Sequence, residues 1–213
     1  MIRISPSVLA CDLSKLYDEV KSIEESGADM VHLDVMDGMF VTNISFGLPV
    51  IASLRKNSDM FFDVHLMIEK PERYIERFID AGADLVTFHY EACEDSASAL
   101  KLIRSRGKKA GISVKPATAV EDIYPLLDDC DHVLIMTVEP GYGGQAFMPQ
   151  MLDKIKKLRG EIDKRNLDID IQVDGGINEQ TGALVREAGA TNLVAGSYVF
   201  KAADRKLAID SLR

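Results

Sequence analysis

Ser26-Gly27-Ala28-Asp29-Met30-Val31-His32-Leu33-Asp34-Val35-Met36-Asp37-Gly38 holds the repeating unit of the chain. Gly27 follows an amphipathic run in which Leu13, Leu16, Val20 and Ile23 fall at helical spacing behind Asp12, a candidate N-cap. A glycine just past such a run is a helix stop, because it adopts positive φ without steric cost. Residues 30–35 then read as a short apolar strand, and Asp37-Gly38 as the turn that ends it. The same device recurs at Ala81-Gly82-Ala83-Asp84-Leu85-Val86 and at Ala188-Gly189-Ala190-Thr191-Asn192-Leu193. Each occurrence stops a helix, turns and enters a buried strand.

Working outward, strands are expected at 3–9, 30–35, 61–66, 85–88, 110–114, 133–136, 169–173 and 193–195. Pro6 suits the first of these to an edge or an irregular start. Helices are expected between them: one ending at Gly27, then a short one through Val50, Ile51 and Leu54. Pro71 opens the next, with Tyr74, Ile75, Phe78 and Ile79 as its buried face. The rest fall at 96–106, 120–127, 149–164, from Asn178 to 188, and 205–212. The strands are short and continuously apolar, the mark of parallel strands covered by helices. Eight β-then-α units in 213 residues match a (β/α)8 TIM barrel. An open doubly wound sheet is the competing arrangement. The barrel is favoured because polar residues cluster at the C-terminal ends of many strands, not at one switch point. No linker or low-complexity tract interrupts the chain, so residues 1–213 read as a single catalytic domain.

Composition narrows the function. The net charge of −9 opposes binding to nucleic acid or to an anionic membrane. An anionic ligand would therefore have to be held by local groups such as backbone N–H. No apolar run approaches the ~18 residues of a membrane span. Met1-Ile2-Arg3-Ile4 enters a strand at once, which leaves no room for a signal peptide. Cys11, Cys93 and Cys130 form no CxxC pair and read as small buried residues in a reducing compartment. A cytoplasmic location is expected.

Three constellations carry chemistry. On a strand, residues two apart share a face, so His32 and Asp34 project together from the end of the second strand. His65 ends the third strand and Asp174 the seventh. Two imidazoles and two carboxylates brought to one point would suit a divalent transition metal: Zn2+, Fe2+, Mn2+ or Co2+. Each residue taken alone has an ordinary alternative as a hydrogen-bonding or capping side chain. The second constellation is the set of glycine-rich turns after the last three strands: Gly141-Tyr142-Gly143-Gly144, Asp174-Gly175-Gly176 and Gly196-Ser197. Glycines there let backbone N–H groups approach a phosphate, and barrels often bind phosphate after strands 7 and 8. The plainer reading of any one such turn is a need for positive φ. Third, Met36, Met67 and Met136 stand at strand ends. They are either core filler or a soft wall over a reacting carbon. His89 and Glu91 also end a strand and read as supporting or structural. His132 opens its strand, on the stability face.

Taken together and in order, Ile4-Ser5-Pro6-Ser7, His32 to Gly38, His65-Leu66-Met67, Met136-Thr137-Val138-Glu139-Pro140-Gly141, Gly143-Gly144-Gln145-Ala146-Phe147, Val173-Asp174-Gly175-Gly176-Ile177 and Ala195-Gly196-Ser197 closely resemble the ribulose-phosphate 3-epimerase family over essentially the full chain. The resemblance implies a ribulose-phosphate binding type of barrel. It also implies interconversion of D-ribulose 5-phosphate and D-xylulose 5-phosphate at C3, in the pentose phosphate pathway. It assigns Asp34 and Asp174 as the acid/base pair on the two faces of the substrate, exchanging roles with direction. His32, Asp34, His65 and Asp174 become ligands of one divalent metal per subunit, which would stabilise a 2,3-enediolate. Ser7, His65, Gly141, Tyr142, Gly143, Gly144, Asp174, Gly175, Gly176, Gly196 and Ser197 become substrate-binding residues. The partner is a small ketose phosphate, and a homo-oligomer, dimer or hexamer, is implied. Thr42 stands where the family usually shows proline, so the loop around it is expected to be less stiff. Rival readings are an epimerase for a related ketose phosphate such as allulose 6-phosphate, a non-catalytic phosphosugar-binding barrel, and a metal-free isomerase or decarboxylase barrel.

Overall fold

A computed structural model describes residues 2–213; the expected strand start at Met1 lies outside the described residues. The eight expected strands form as β1 (Arg3–Pro6), β2 (Met30–Met36), β3 (Phe61–Met67), β4 (Leu85–His89), β5 (Lys109–Val114), β6 (His132–Met136), β7 (Asp170–Asp174) and β8 (Asn192–Ala195). All pair in parallel, in the order β1-β8-β7-β6-β5-β4-β3-β2. A parallel bridge between Ser7 and His32 joins the two ends of this order, so the sheet closes into a barrel. Helices α1 (Leu16–Glu25), α2 (Leu48–Arg55), α3 (Ile75–Ala81), α4 (Ser96–Ser105), α5 (Met151–Lys164), α6 (Glu179–Glu187), α7 (Ser197–Phe200) and α8 (Arg205–Ser211) follow the strands in turn, except that a 3-10 helix takes the place between β5 and β6 and both α7 and α8 follow β8. Apolar residues pack between sheet and helices, with Phe62, Leu33, Leu66 and Phe88 fully buried.

Several expectations change, among them that Pro71 opens a separate 3-10 turn, Pro71–Arg73, ahead of α3 and Tyr74 is only partly buried. The first strand stops at Pro6 rather than at residue 9, because Ser7 caps a 3-10 turn over Val8–Ala10 by accepting from the Leu9 N–H. Leu13 does not join the buried stripe of α1: it lies in a separate 3-10 turn capped by Asp12 and is 47% exposed. The run expected as a helix at 120–127 is a 3-10 helix, Val120–Asp129, with Pro125 inside it. Proline supplies no N–H to an i→i−4 ladder, and its ring crowds the carbonyl four residues back. Finally, Ser197 opens the short helix α7 rather than a loop. Cys130 is buried, whereas Cys11 and Cys93 are only partly so; all three are free thiols. Among the described residues no helix is long and apolar enough to cross a membrane.

The repeated glycines behave as expected. Gly27, Gly82 and Gly189 all have positive φ, at +85°, +118° and +112°. The residue two further on has a job that the pattern did not announce. Asp29 accepts from the Ile4 N–H at 2.8 Å, Asp84 from the Phe62 N–H at 3.0 Å and Thr191 from the Ile171 N–H at 3.0 Å. Asp131 does the same for Ala110 at 2.9 Å. Each side chain satisfies a donor at the start of a neighbouring strand, on the face of the barrel opposite the strand C-termini. A buried N–H without an acceptor costs about 1–3 kcal/mol. Asp84 also receives Arg55 and Lys108. Asp84→Ala should therefore lower the unfolding free energy in urea by about 1–3 kcal/mol. A loss within the error of the measurement would contradict this role.

Candidate metal centre and phosphate cavity

At the C-terminal mouth of the barrel, strand alternation turns His32 and Asp34 of β2 inward together. The pairing of β2 with β3 sets Asp34 opposite His65. Asp174 arrives on β7 from the other side of the closure, beside Met136 of β6. All four expected ligands converge: one donor atom from each lies within 4.8 Å of the others. The Asp34 Oδ1 atom is 3.2 Å from both His32 Nε2 and His65 Nδ1. Asp174 Oδ2 is 3.9 Å from each of the same two nitrogens. Ser7, expected near the substrate, donates to Asp34 Oδ2 at 2.5 Å and so fixes that carboxylate.

The donor set fits a cation. His32 Nδ1 lies 2.7 Å from Asp63 Oδ2, an acceptor, so its proton belongs there. The Nε2 lone pair then faces the cluster, and this buried atom has no hydrogen-bond partner. It points instead at carboxylate oxygens, which are themselves electron-rich. Bare acceptors pressed together in a buried site need a positive charge between them. Without one, protonation answers the need. Burial disfavours charge on the His32 ring, yet Asp63 and Asp34 outweigh it and hold the ring well above an ordinary histidine. Burial also works against the Asp34 charge, but His32 and His65 keep that carboxyl well below the usual range. Burial and the neighbouring Asp34 charge push Asp174 upward. The site is thus a buried His2Asp2 group that can hold a metal ion.

Behind these residues stands a layer that the sequence reading passed over. Asp63 is fully buried and accepts at Oδ2 from Ser5 at 3.0 Å and Gln172 at 2.5 Å, as well as from His32. Burial raises its carboxyl, but His32, then His132 and the Gln172 hydrogen bond, bring it down to about 2. A signal was present: Asp63 precedes His65 by two, as His32 precedes Asp34, and Gln172 precedes Asp174 likewise. On the other side, His65 Nε2 lies 3.0 Å from His89 Nε2, and His89 Nδ1 lies 3.3 Å from Glu91 Oε2. His132 is buried at the start of β6, away from the strand ends that form the site.

Above the cluster opens a cavity of about 540 Å3. Asp34, Asp174, Ser7 and the methionines Met36, Met67 and Met136 line it, together with the glycine turns after β6, β7 and β8. These turns bring Gly141, Tyr142, Gly143, Gly144, Gly175, Gly176, Gly196 and Ser197 to one cavity. His65 is fully buried and lies beneath the cavity rather than on its wall. At Gly176 φ is +68°, and a Cβ there would stand 2.5 Å from the Phe147 backbone nitrogen. Only glycine lets the two turns approach so closely. Thr137 Oγ1 donates to the Gly175 carbonyl at 2.6 Å and holds that turn from β6. Asn178, Thr181 and Lys201 also reach the cavity and were not anticipated. Lys201 follows Ser197 by one helical turn, and that spacing was the available clue. The loop carrying Thr42 borders the same mouth: Asn43 Nδ2 donates to the Gly141 carbonyl at 2.8 Å, and Asp37 accepts from the Glu69 N–H at 2.8 Å.

Comparison with known proteins agrees with this geometry. The family model described as the ribulose-phosphate 3 epimerase family matches residues 3–200. The protein of Bacillus subtilis (strain 168) called ribulose-phosphate 3-epimerase is 47% identical over 214 residues, covering 100% of this chain and 99% of that relative. Its namesake from Synechocystis sp. is 45% identical, covering 100% of this chain and 93% of the relative. Among solved structures, a 3-hexulose-6-phosphate synthase superposes with a TM-score of 0.71 at 21% identity, covering 99% of this chain and 98% of the other. A 3-keto-L-gulonate-6-phosphate decarboxylase from Vibrio cholerae does so with a TM-score of 0.76 at 16% identity, covering 100% and 95%. These two likenesses concern the fold. The match of the family model over nearly the whole chain, with full-length relatives, establishes that this chain belongs to the ribulose-phosphate 3 epimerase family.

Proposed function

We propose that this chain, acting as one catalytic unit over residues 1–213, interconverts D-ribulose 5-phosphate and D-xylulose 5-phosphate by moving the proton at C3. The observation that carries this reading is the pairing of Asp34 and Asp174. They come from β2 and β7, on opposite sides of the barrel closure, and both face the cavity. Inverting a carbon requires a proton to leave one face and return to the other. Two carboxylates approaching from different directions supply a base and an acid, and they exchange roles when the reaction reverses. Ser7 holds the Asp34 carboxylate in place through its short hydrogen bond. Asp34 is buried and the Asp174 side chain is only 18% exposed, which limits the water that can compete for the proton.

His32, Asp34, His65 and Asp174 would hold one divalent transition metal, Zn2+ or Fe2+ before Mn2+ or Co2+. When bound, the ion supplies Lewis-acid stabilisation of the negative charge that develops on the sugar oxygens. The three methionines leave the reacting carbon a polarizable, water-poor wall. At the other end of the cavity, the backbone of Gly175, Gly176 and the 141–144 turn, with Gly196, Ser197 and the opening of α7, suits a phosphate dianion. Lys201 is the cation that reaches the cavity. In a chain of net charge −9, this local arrangement rather than the long-range field must bind the anion. Phosphate binding far from C3 orients the sugar between the two carboxylates. On this reading the chain is also cytoplasmic and homo-oligomeric, a dimer or a hexamer.

Asp34→Asn and Asp174→Asn should each lower kcat for epimerisation of ribulose 5-phosphate by about 10²–10⁴-fold while far-UV circular dichroism stays unchanged. Near-normal turnover in either variant would refute the two-carboxylate scheme. Ser197→Ala removes a phosphate donor and should raise KM about tenfold, with kcat little altered. A collapse of kcat at unchanged KM would instead place Ser197 at the reacting end.

A further inference from the structure

His89 and Glu91 stand outside the cluster, yet their geometry decides the state of one of its members. His65 meets the cluster through Nδ1, which lies 3.2 Å from Asp34 Oδ1. Its other nitrogen, Nε2, lies 3.0 Å from Nε2 of His89. Two ring nitrogens at that distance share one proton, so one must donate and the other accept. The choice is made further out. His89 Nδ1 is 3.3 Å from Glu91 Oε2, and an ionised carboxylate only accepts. His89 therefore carries its proton on Nδ1 and offers a bare Nε2. His65 must then carry a proton on Nε2, so the nitrogen that can give up its proton to a cation is Nδ1, beside Asp34 Oδ1.

The geometry points to a directional relay, Glu91 to His89 to His65, that fixes the tautomer of His65 and presents its Nδ1 to a cation. Glu91 and His89 are positioning residues; neither reaches the cavity. The relay is held from behind. Glu91 Oε1 accepts from the Lys115 N–H at 2.7 Å and from the Thr118 hydroxyl, so the carboxylate is anchored to the segment after β5. Lys154 of α5 secures that segment through the carbonyls of Lys115, Pro116 and Thr118, at 2.9, 2.8 and 2.6 Å. Phe40 packs on the His89 ring with centroids 4.8 Å apart, and the Lys115 ammonium lies 3.8 Å from the Phe40 centroid. His89 is fully buried, so no water replaces a lost partner from bulk solvent. The arrangement parallels that of His32, whose carboxylate Asp63 touches the ring directly. The second histidine takes its carboxylate through an intervening imidazole. Partners of this kind orient metal-binding histidines and raise their basicity.

This inference rests on the proposed metal site, and the test separates the two. Nitrogen-15 histidine labelling with long-range proton–nitrogen correlation reports which ring nitrogen bears the proton, with or without metal. Wild-type His65 should show a protonated Nε2 in the metal-free chain, and a bare Nδ1 beside it once Zn2+ is bound. In metal-free Glu91→Ala and His89→Leu the Nε2 proton should be partly lost. Co2+ affinity, measured by competition with a chelator, should fall about 10–100-fold in both. His89→Gln, whose amide oxygen can accept from Nε2–H, should restore most of it. The Glu91 side chain is 21% exposed, so Glu91→Ala still tests the relay should His89→Leu fail to fold. A metal-free wild-type His65 with a bare Nε2 would overturn the inference. So would an unchanged tautomer and unchanged Co2+ affinity in Glu91→Ala. A wild type that binds no Co2+ but keeps the Nε2–H tautomer, lost in Glu91→Ala, would refute the metal reading and leave the relay standing.

Discussion

Closure of the sheet between β1 and β2 is the constraint on which the site depends. The bridge between Ser7 and His32 brings the two ends of the strand order together. Only then does Asp174 of β7 come within 3.9 Å of the two histidines carried by β2 and β3. An open sheet with the same strands would leave β2 and β7 far apart, and the carboxylate pair would not exist. The closing residue also serves the site, since the Ser7 hydroxyl holds Asp34. The lower face of the barrel makes closure tolerable by giving strand-start N–H groups the side chains of Asp29, Asp84, Asp131 and Thr191.

Closure creates an electrostatic debt in the middle of the barrel. Two carboxylates and two imidazoles crowd together at the largely buried floor of the cavity. Apolar side chains of similar size would pack there at lower cost. A cluster of this kind persists where an outside charge completes it, which is why activity and metal occupancy are tied in this reading. The supporting carboxylates, Asp63 behind His32 and Glu91 behind His89, add further negative charge to an already acidic centre. Their contribution is direction: each places a proton on the far side of a ring and leaves a lone pair on the near side.

Much of this was legible in the sequence because strand and helix periods are local properties. His32 with Asp34 is a period-two signal, and the Gly27, Gly82 and Gly189 stops mark helix ends wherever they occur. The ring of eight strands followed from counting such units. What escaped depends on register and on competition between local rules. Pro125 turned an amphipathic helical pattern into a 3-10 run, and Leu13 fell into a separate capped turn. Asp63 was visible but silent, because its meeting with His32 needs β2 and β3 in one register. The same holds for His65 and His89, which meet across β3 and β4, and for Lys201, whose approach to the cavity needs α7. Ring-nitrogen assignments lie beyond any sequence pattern, since they follow from distances between side chains.

The most direct measurement of the central claim is X-ray absorption at the metal edge of the full chain loaded with one equivalent of Zn2+. The expected spectrum shows stoichiometric binding with a shell of nitrogen and oxygen only, and outer-shell scattering from two imidazole rings. Sulfur in the shell, an absence of imidazole scattering, or failure to retain the ion would contradict the convergence of His32, Asp34, His65 and Asp174 on a single cation.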